Sequence, residues 1–130
     1  MHGQKRTQMN WTLINHFKSP EFDSPDIPGS GEQMNATTVE MLDEAREYAN
    51  IPFTITSGVR SEAHNAKVGG KNGSAHLTGH AFDIAVRSGI ERYIIITALL
   101  YAGFTRIGVS KGFIHGDNDE SKPQNVIWTY

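Results

Sequence analysis

Residues 74–83 read Ser74-Ala75-His76-Leu77-Thr78-Gly79-His80-Ala81-Phe82-Asp83, and Ile84-Ala85-Val86 follows directly. An imidazole at His76 and a carboxylate at Asp83 stand seven residues apart, with Gly79 between them. An aspartate among Ala81, Phe82, Ile84, Ala85 and Val86 is costly to bury unless it is paired or ligated. The run 81–86 reads as a strand, and its apolar content places it inside a sheet. A glycine turn at Gly79 can fold His76 back toward Asp83.

A second His/Asp pair lies in Phe113-Ile114-His115-Gly116-Asp117. A catalytic zinc takes three protein ligands and keeps one position open. His76, Asp83 and His115 supply such a set for one Zn2+ ion, drawn from two strands. Asp117 is then spare and can serve as a base. The competing reading is that each histidine is only hydrogen-bonded, which is the usual state of such groups.

The composition narrows the choices. The chain has 130 residues, 38% apolar and 20% charged, with a net charge of −2 and no cysteine. That length fits one domain with a core of its own. The charge gives no electrostatic case for nucleic acid. Without cysteine, thiolate metal sites and cysteine nucleophiles are excluded, so any metal must be held by His and carboxylates. No apolar run is long enough for a membrane span. The start, Met1 to Asn10, is basic with no apolar stretch behind it, so no signal peptide is expected and the chain is expected in the cytoplasm as synthesised.

Outward from the central stretch, helices and strands interleave. Pro20, Pro25, Pro28 and the Gly29-Ser30-Gly31 run make residues 1–35 an irregular arm, clipped to the core by Trp11, Leu13, Ile14, Phe17 and Phe22. Residues 36–130 form the core of the single domain. A helix starts near Thr37, with Thr37 and Glu40 at capping-box spacing. Its apolar stripe is Val39, Leu42, Ala45 and Ala49, with Asp43, Glu44, Arg46 and Glu47 mostly outward. Phe53–Thr56 alternates as a strand. Ser61 caps a short helix over 62–68, and Ser88 caps another over about 90–102, apolar almost all round and therefore expected to be deeply buried. Residues 106–109 and 112–116 form a hairpin, and 126–130 a last strand. The short connections predict an α+β fold with a mainly antiparallel sheet.

Several runs carry a resemblance: Ser57-Gly58-Val59-Arg60-Ser61, His64-Asn65, Val68-Gly69-Gly70, Ser74-x-His76-Leu77-x-Gly79-x-Ala81-x-Asp83-Ile84, and Phe113-Ile114-His115-x-Asp117. With His16-Phe17-x-x-x-Glu21-Phe22 they cover the chain from about residue 16 to its end. The chain resembles the zinc D-alanyl-D-alanine carboxypeptidase family, in its compact single-domain branch. That family includes peptidoglycan endopeptidases, phage endolysins and D-Ala-D-Ala dipeptidases. The resemblance implies the hedgehog/DD-peptidase fold, zinc on His76, Asp83 and His115, and a peptidoglycan peptide as substrate; the chain is expected to be a monomer. It implies that Arg60 faces the site, where a guanidinium binds a substrate carboxylate or polarises the scissile carbonyl. A phage-lysin-like enzyme acting on the wall after release fits the missing signal.

Many relatives place the base three residues before the last zinc histidine, and here that residue is Gly112. Asp117 is therefore the candidate base, with orientation of His115 as its alternative role. Ser74 is expected to shape the turn by a local hydrogen bond and to lie near substrate. His80 is expected not to ligate, since it would close the open position. Asn65 is expected to bond backbone, Asp119 and Glu120 to be solvated turn residues, and Trp128 and Tyr130 to be core or sheet-edge aromatics. A rival reading keeps the fold without catalysis, as a metal-stabilised module that binds wall peptide or a protein.

Overall fold

Asn35 starts the first helix, because its side chain accepts the Thr38 N–H at 3.1 Å. The helix, α1, spans Ala36–Ala49 and stops at Asn50 in the left-handed region. The expected cap at Thr37 is thus corrected: the earlier Asn35 reaches the free amide first. The computed structural model describes residues 9–130, so the first eight residues of the expected arm, and the basic start weighed as a leader, lie outside the described residues. Strand β1 is Ile55–Ser57, helix α2 Glu62–Lys67, and strand β2 Ala81–Ala85. Helix α3 is Gly89–Tyr101, followed by strands β3 (Arg106–Val109), β4 (Phe113–Asp117) and β5 (Val126–Thr129).

The five strands form one sheet in the order β1-β2-β4-β3-β5. Every pairing is antiparallel except that of β3 with β5, which is parallel. The fold is α+β, as expected. The alternation of strand side chains gives the sheet two faces. One carries Phe82, Ile84, Ile107 and Ile114, all 0% exposed, and packs with α1 and α3 into the core. The other carries Asp83, Asp117, His115 and Arg106, and this is the polar face on which a site can form.

Strand β1 does not alternate regularly. Ile55 pairs with Ile84 while Ser57 pairs with Asp83, so Thr56 is an extra residue against β2. Such a bulge lets Ile55 follow the core face and Ser57 the polar face. It also explains why the strand sits later in the chain than the run 53–56 that alternation suggests.

Helix α3 departs from expectation. Ile95, Ala98 and Leu99 are buried, but Ile90 is 75% and Tyr93 73% exposed. An outer-layer helix shows the core one stripe at i, i+3 and i+4 only. The outward residues are apolar all the same, and Tyr101 stacks on Tyr48 of α1 at 3.9 Å.

The irregular arm is tied in by specific groups. Phe22 is 0% exposed, beside Phe17 and Trp11. Its carbonyl accepts the Val59 N–H at 2.8 Å. Asp43, expected to point outward, is buried instead and accepts the N–H groups of Asn15 and His16, each at 2.9 Å. The carboxylate satisfies two amides that the non-helical arm leaves without partners. No helix among the described residues is long and apolar enough to cross a membrane.

Candidate metal centre

Ser74 begins the site. Its hydroxyl accepts the His76 N–H at 3.2 Å and starts a short 3-10 turn, Ala75–Thr78. Gly79 closes that turn at φ +76°, a conformation that favours glycine. A Cβ at Gly79 would also stand 2.5 Å from the Gln33 carbonyl oxygen. The turn brings the His76 ring over β2, and the Arg60 N–H holds it there by donating to the His76 carbonyl at 3.0 Å.

Asp83 and His115 are register partners on β2 and β4. His115 Nδ1 lies 3.1 Å and His76 Nε2 3.3 Å from Asp83 Oδ1. One donor atom from each of the three residues lies within 4.8 Å of the others, and all three residues are buried. Ligands about 2.0–2.1 Å from a tetrahedral zinc stand about 3.4 Å apart, so these separations suit one ion.

The outer ring nitrogens fix what the inner ones can do. His76 Nδ1 lies 2.7 Å from the Gly58 carbonyl oxygen, which can only accept, so Nδ1 carries the proton. His76 Nε2 is then a bare lone pair, buried and with no hydrogen-bond partner. His115 Nε2 lies 2.7 Å from Asp117 Oδ2, which places a proton there and leaves Nδ1 facing Asp83. Three acceptors aimed at one point repel unless a proton or a cation lies among them. The orphaned His76 Nε2 and this donor set fit a divalent ion that prefers nitrogen and oxygen.

The electrostatics agree. Burial works against a charge on Asp83, but the adjoining His115 and His76 rings outweigh it and hold the carboxyl far below its usual range. Burial likewise opposes protonation of His115, yet bonds to Asp117 and Asp83 raise its pKa above the ordinary imidazole value. The surroundings that favour a cation among the trio thus also favour a proton on His115.

Asp117 lies behind His115, on the ring nitrogen away from Asp83. Its side chain is 1% exposed, with Oδ2 on His115 and Oδ1 accepting from Arg106 Nε at 2.7 Å and from the Asp119 N–H at 3.1 Å. With both oxygens engaged, Asp117 has the contacts that the alternative role, orienting His115, requires. Arg106 was missed in the sequence. Only the strand register shows that it stands beside Asp117 on the polar face.

Arg60 does reach the trio. Its Nη2 lies 3.4 Å from Asp83 Oδ2, while Nε donates to Ser57 Oγ at 3.1 Å and Nη1 to Asn65 Oδ1 at 3.1 Å. Asn65 also donates to the Lys71 carbonyl at 3.0 Å, the backbone bond expected of it. His80 is turned to Thr78 Oγ1 and takes no part. Asp119 is not a free turn residue: it accepts from Lys122 and Ser121, and despite some burial its pKa is held down at about 2.

One aromatic residue borders the trio and a second lies beside it on the same strand end. Trp128 lies 5.4 Å ring to ring from His115, and Tyr130 lies 5.1 Å from Phe113. Burial raises the Tyr130 pKa, a Trp128 contact lowers it, and the charges of Asp83, Arg60 and Asp117 all reach it.

No curated protein matches the chain. A family model described as Peptidase M15 matches residues 15–117, which takes in His16, Arg60 and the whole of the His76, Asp83 and His115 trio. The match covers most of the sequence and ends at the residue that orients the last histidine; the chain belongs to the Peptidase M15 family of zinc peptidases.

Proposed function

We propose that the chain is a zinc metallopeptidase that hydrolyses peptide bonds in the stem peptides of bacterial peptidoglycan. Either a terminal D-Ala-D-Ala bond or an internal stem-peptide bond suits the site. The observation that carries the reading is the meeting of two imidazole nitrogens and one carboxylate oxygen beside an arginine fork on a buried polar face.

His76, Asp83 and His115 would hold one Zn2+ ion. Bound there, zinc supplies Lewis-acid polarisation of a carbonyl and lowers the pKa of water to about 7. The chain's own residues do the rest. Gly58 fixes the His76 tautomer through Nδ1–H, and Asp117 fixes that of His115 through Nε2–H. Arg106 holds Asp117 in place by its Nε–H bond and adds to the pull that favours the carboxylate, so that it goes on accepting that proton. Arg60 is held by Ser57, Asn65 and Asp83, which leaves it N–H groups to bind a substrate carboxylate or the carbonyl oxygen as charge develops. Ser74 acts through the His76 turn, since its oxygen is already bonded to that backbone. One chain carries every group invoked, so a monomer suffices.

Metal analysis of the purified protein, followed by mass spectrometry of digested peptidoglycan, tests this. About one zinc per chain and release of D-alanine or stem fragments is the expected result. Protein that takes up no metal sinks it. Zinc-loaded protein that binds wall peptides and cuts none would replace it with the non-catalytic module.

A further inference from the structure

The matched segment ends at residue 117, yet the last strand belongs to the site. Ser57, Asp83, His115, Gly108 and Trp128 are successive register partners, one row running across all five strands. Gly108 is the gap in that row. A Cβ there would stand 2.6 Å from Trp128 Nε1, so the indole lies across β3 where any other residue would block it. The indole is held between His115 at 5.4 Å and the Arg106 guanidinium at 5.0 Å. Next to it, Tyr130 rests on Phe113 and is 69% exposed. An edge aromatic that served the core would turn to the other face, toward Ile107 and Ile114.

We propose that Trp128 and Tyr130 form a substrate-contacting wall of the site, opposite Arg60. This rests on the peptidase reading given above. The occupant is the peptide substrate, because the wall is continuous with the trio: the indole touches one of its ligands. A peptide rises about 3.3 Å per residue, so the wall meets the first or second residue beyond the reacting bond. The chemistry it takes is aliphatic, C–H groups against aromatic faces, with the Tyr130 O–H able to donate to a peptide carbonyl. Arg60 takes the anionic part and the wall the apolar part, which fixes the direction in which a peptide lies.

Trp128 can be read directly, since the chain has two tryptophans. In a Trp11→Phe variant, zinc-loaded protein titrated with a soluble stem pentapeptide should show a saturable change in Trp128 emission. Trp128→Ala and the exposed Tyr130→Ala should raise KM by about tenfold or more, with kcat changed by less than about threefold and zinc content unaltered. Tyr130→Ala with wild-type KM, or a fall in kcat alone, overturns the inference. If the wild type cuts no stem peptide, the peptidase reading fails by itself. The titration still decides the wall: saturable emission supports it, and emission that does not move at saturating peptide overturns it.

Discussion

Arg106 Nε donates to Asp117 Oδ1 at 2.7 Å, with the two side chains only 11% and 1% exposed. Burial alone would push the Asp117 carboxyl toward its neutral form. The His115 bond, the Asp119 amide and the Arg106 charge reverse that and lower its pKa. Arg106 never reaches the three donor atoms, yet it is bonded to the carboxylate that sets the tautomer of one of them.

Replacing Asp117 by Asn should therefore weaken zinc more than it changes substrate binding. The amide can still meet His115 but no longer stabilises the protonated Nε2 as a carboxylate does. A loss of about 10–100-fold in metal affinity is expected, read by competition with a coloured chelator. Arg106 is also left as a buried cation without its partner, so the variant should lose about 3–5 kcal/mol in denaturant unfolding. Unchanged zinc affinity would show that the carboxylate does not govern His115.

Acidity acts on the same groups. His115 has its pKa raised above 6.5, so its contribution to the metal-free fold is full below 6.5 and is lost as pH rises through the raised value. Asp83 and Asp117 are lowered from 3.8, so theirs is full above 3.8 and is lost on acidification below it. Zinc requires His115 Nδ1 to give up its proton, so metal binding strengthens as the metal-free fold weakens. Melts in chelator at about pH 5.5 and about pH 8.5 should show a lower Tm at the higher pH, and melts in zinc should show a widening gap between loaded and stripped protein. Parallel curves would contradict this.

Gly108→Ala tests the crossing of the indole. The added methyl must displace Trp128, at a cost of about 1–3 kcal/mol for overpacking. Trp128 emission should shift to the red as the ring moves into water. Wild-type emission and stability would mean that the ring does not depend on the gap.

Phe22→Ala should cost about 3–5 kcal/mol, since it empties a fully buried ring volume. The effect reaches the site. Phe22 packs on Gly58 and bonds Val59, and the Gly58 carbonyl holds His76. Reduced zinc retention in a variant that still folds is the second expected reading. Full retention would separate the arm from the metal centre.

The trio was legible because its chemistry conflicts with its surroundings: Asp83 is a charge in an apolar strand, and His115 sits in a strand of its own. Helix ends were legible where one hydroxyl had one amide to reach, as at Ser61 and Ser88. At α1, Asn35 and Thr37 competed for that place, and spacing alone does not rank them. Arg106 and Trp128 stayed hidden for another reason. Which face a strand residue takes, and which residue stands beside it, depends on register between strands distant in the chain. Helix α3 misled because apolar composition does not say how many of its sides meet protein; Ile90 and Tyr93 meet solvent. Asp43 looked like a solvated helix residue because its two amide partners lie 27 and 28 positions earlier.

The extra residue at Thr56 has a consequence for how this chain can vary. In a regular strand Ile55 and Ser57 would share a side. Here they are uncoupled, so the aliphatic at 55 can be exchanged without disturbing the hydroxyl that steadies Arg60. Removing Thr56 would make Ile55 and Ser57 neighbours in a regular strand, still on opposite faces, so that hydroxyl and the guanidinium it holds would keep their side. Position 56 is thus the place where this strand can lose a residue and still present Ser57 to Arg60.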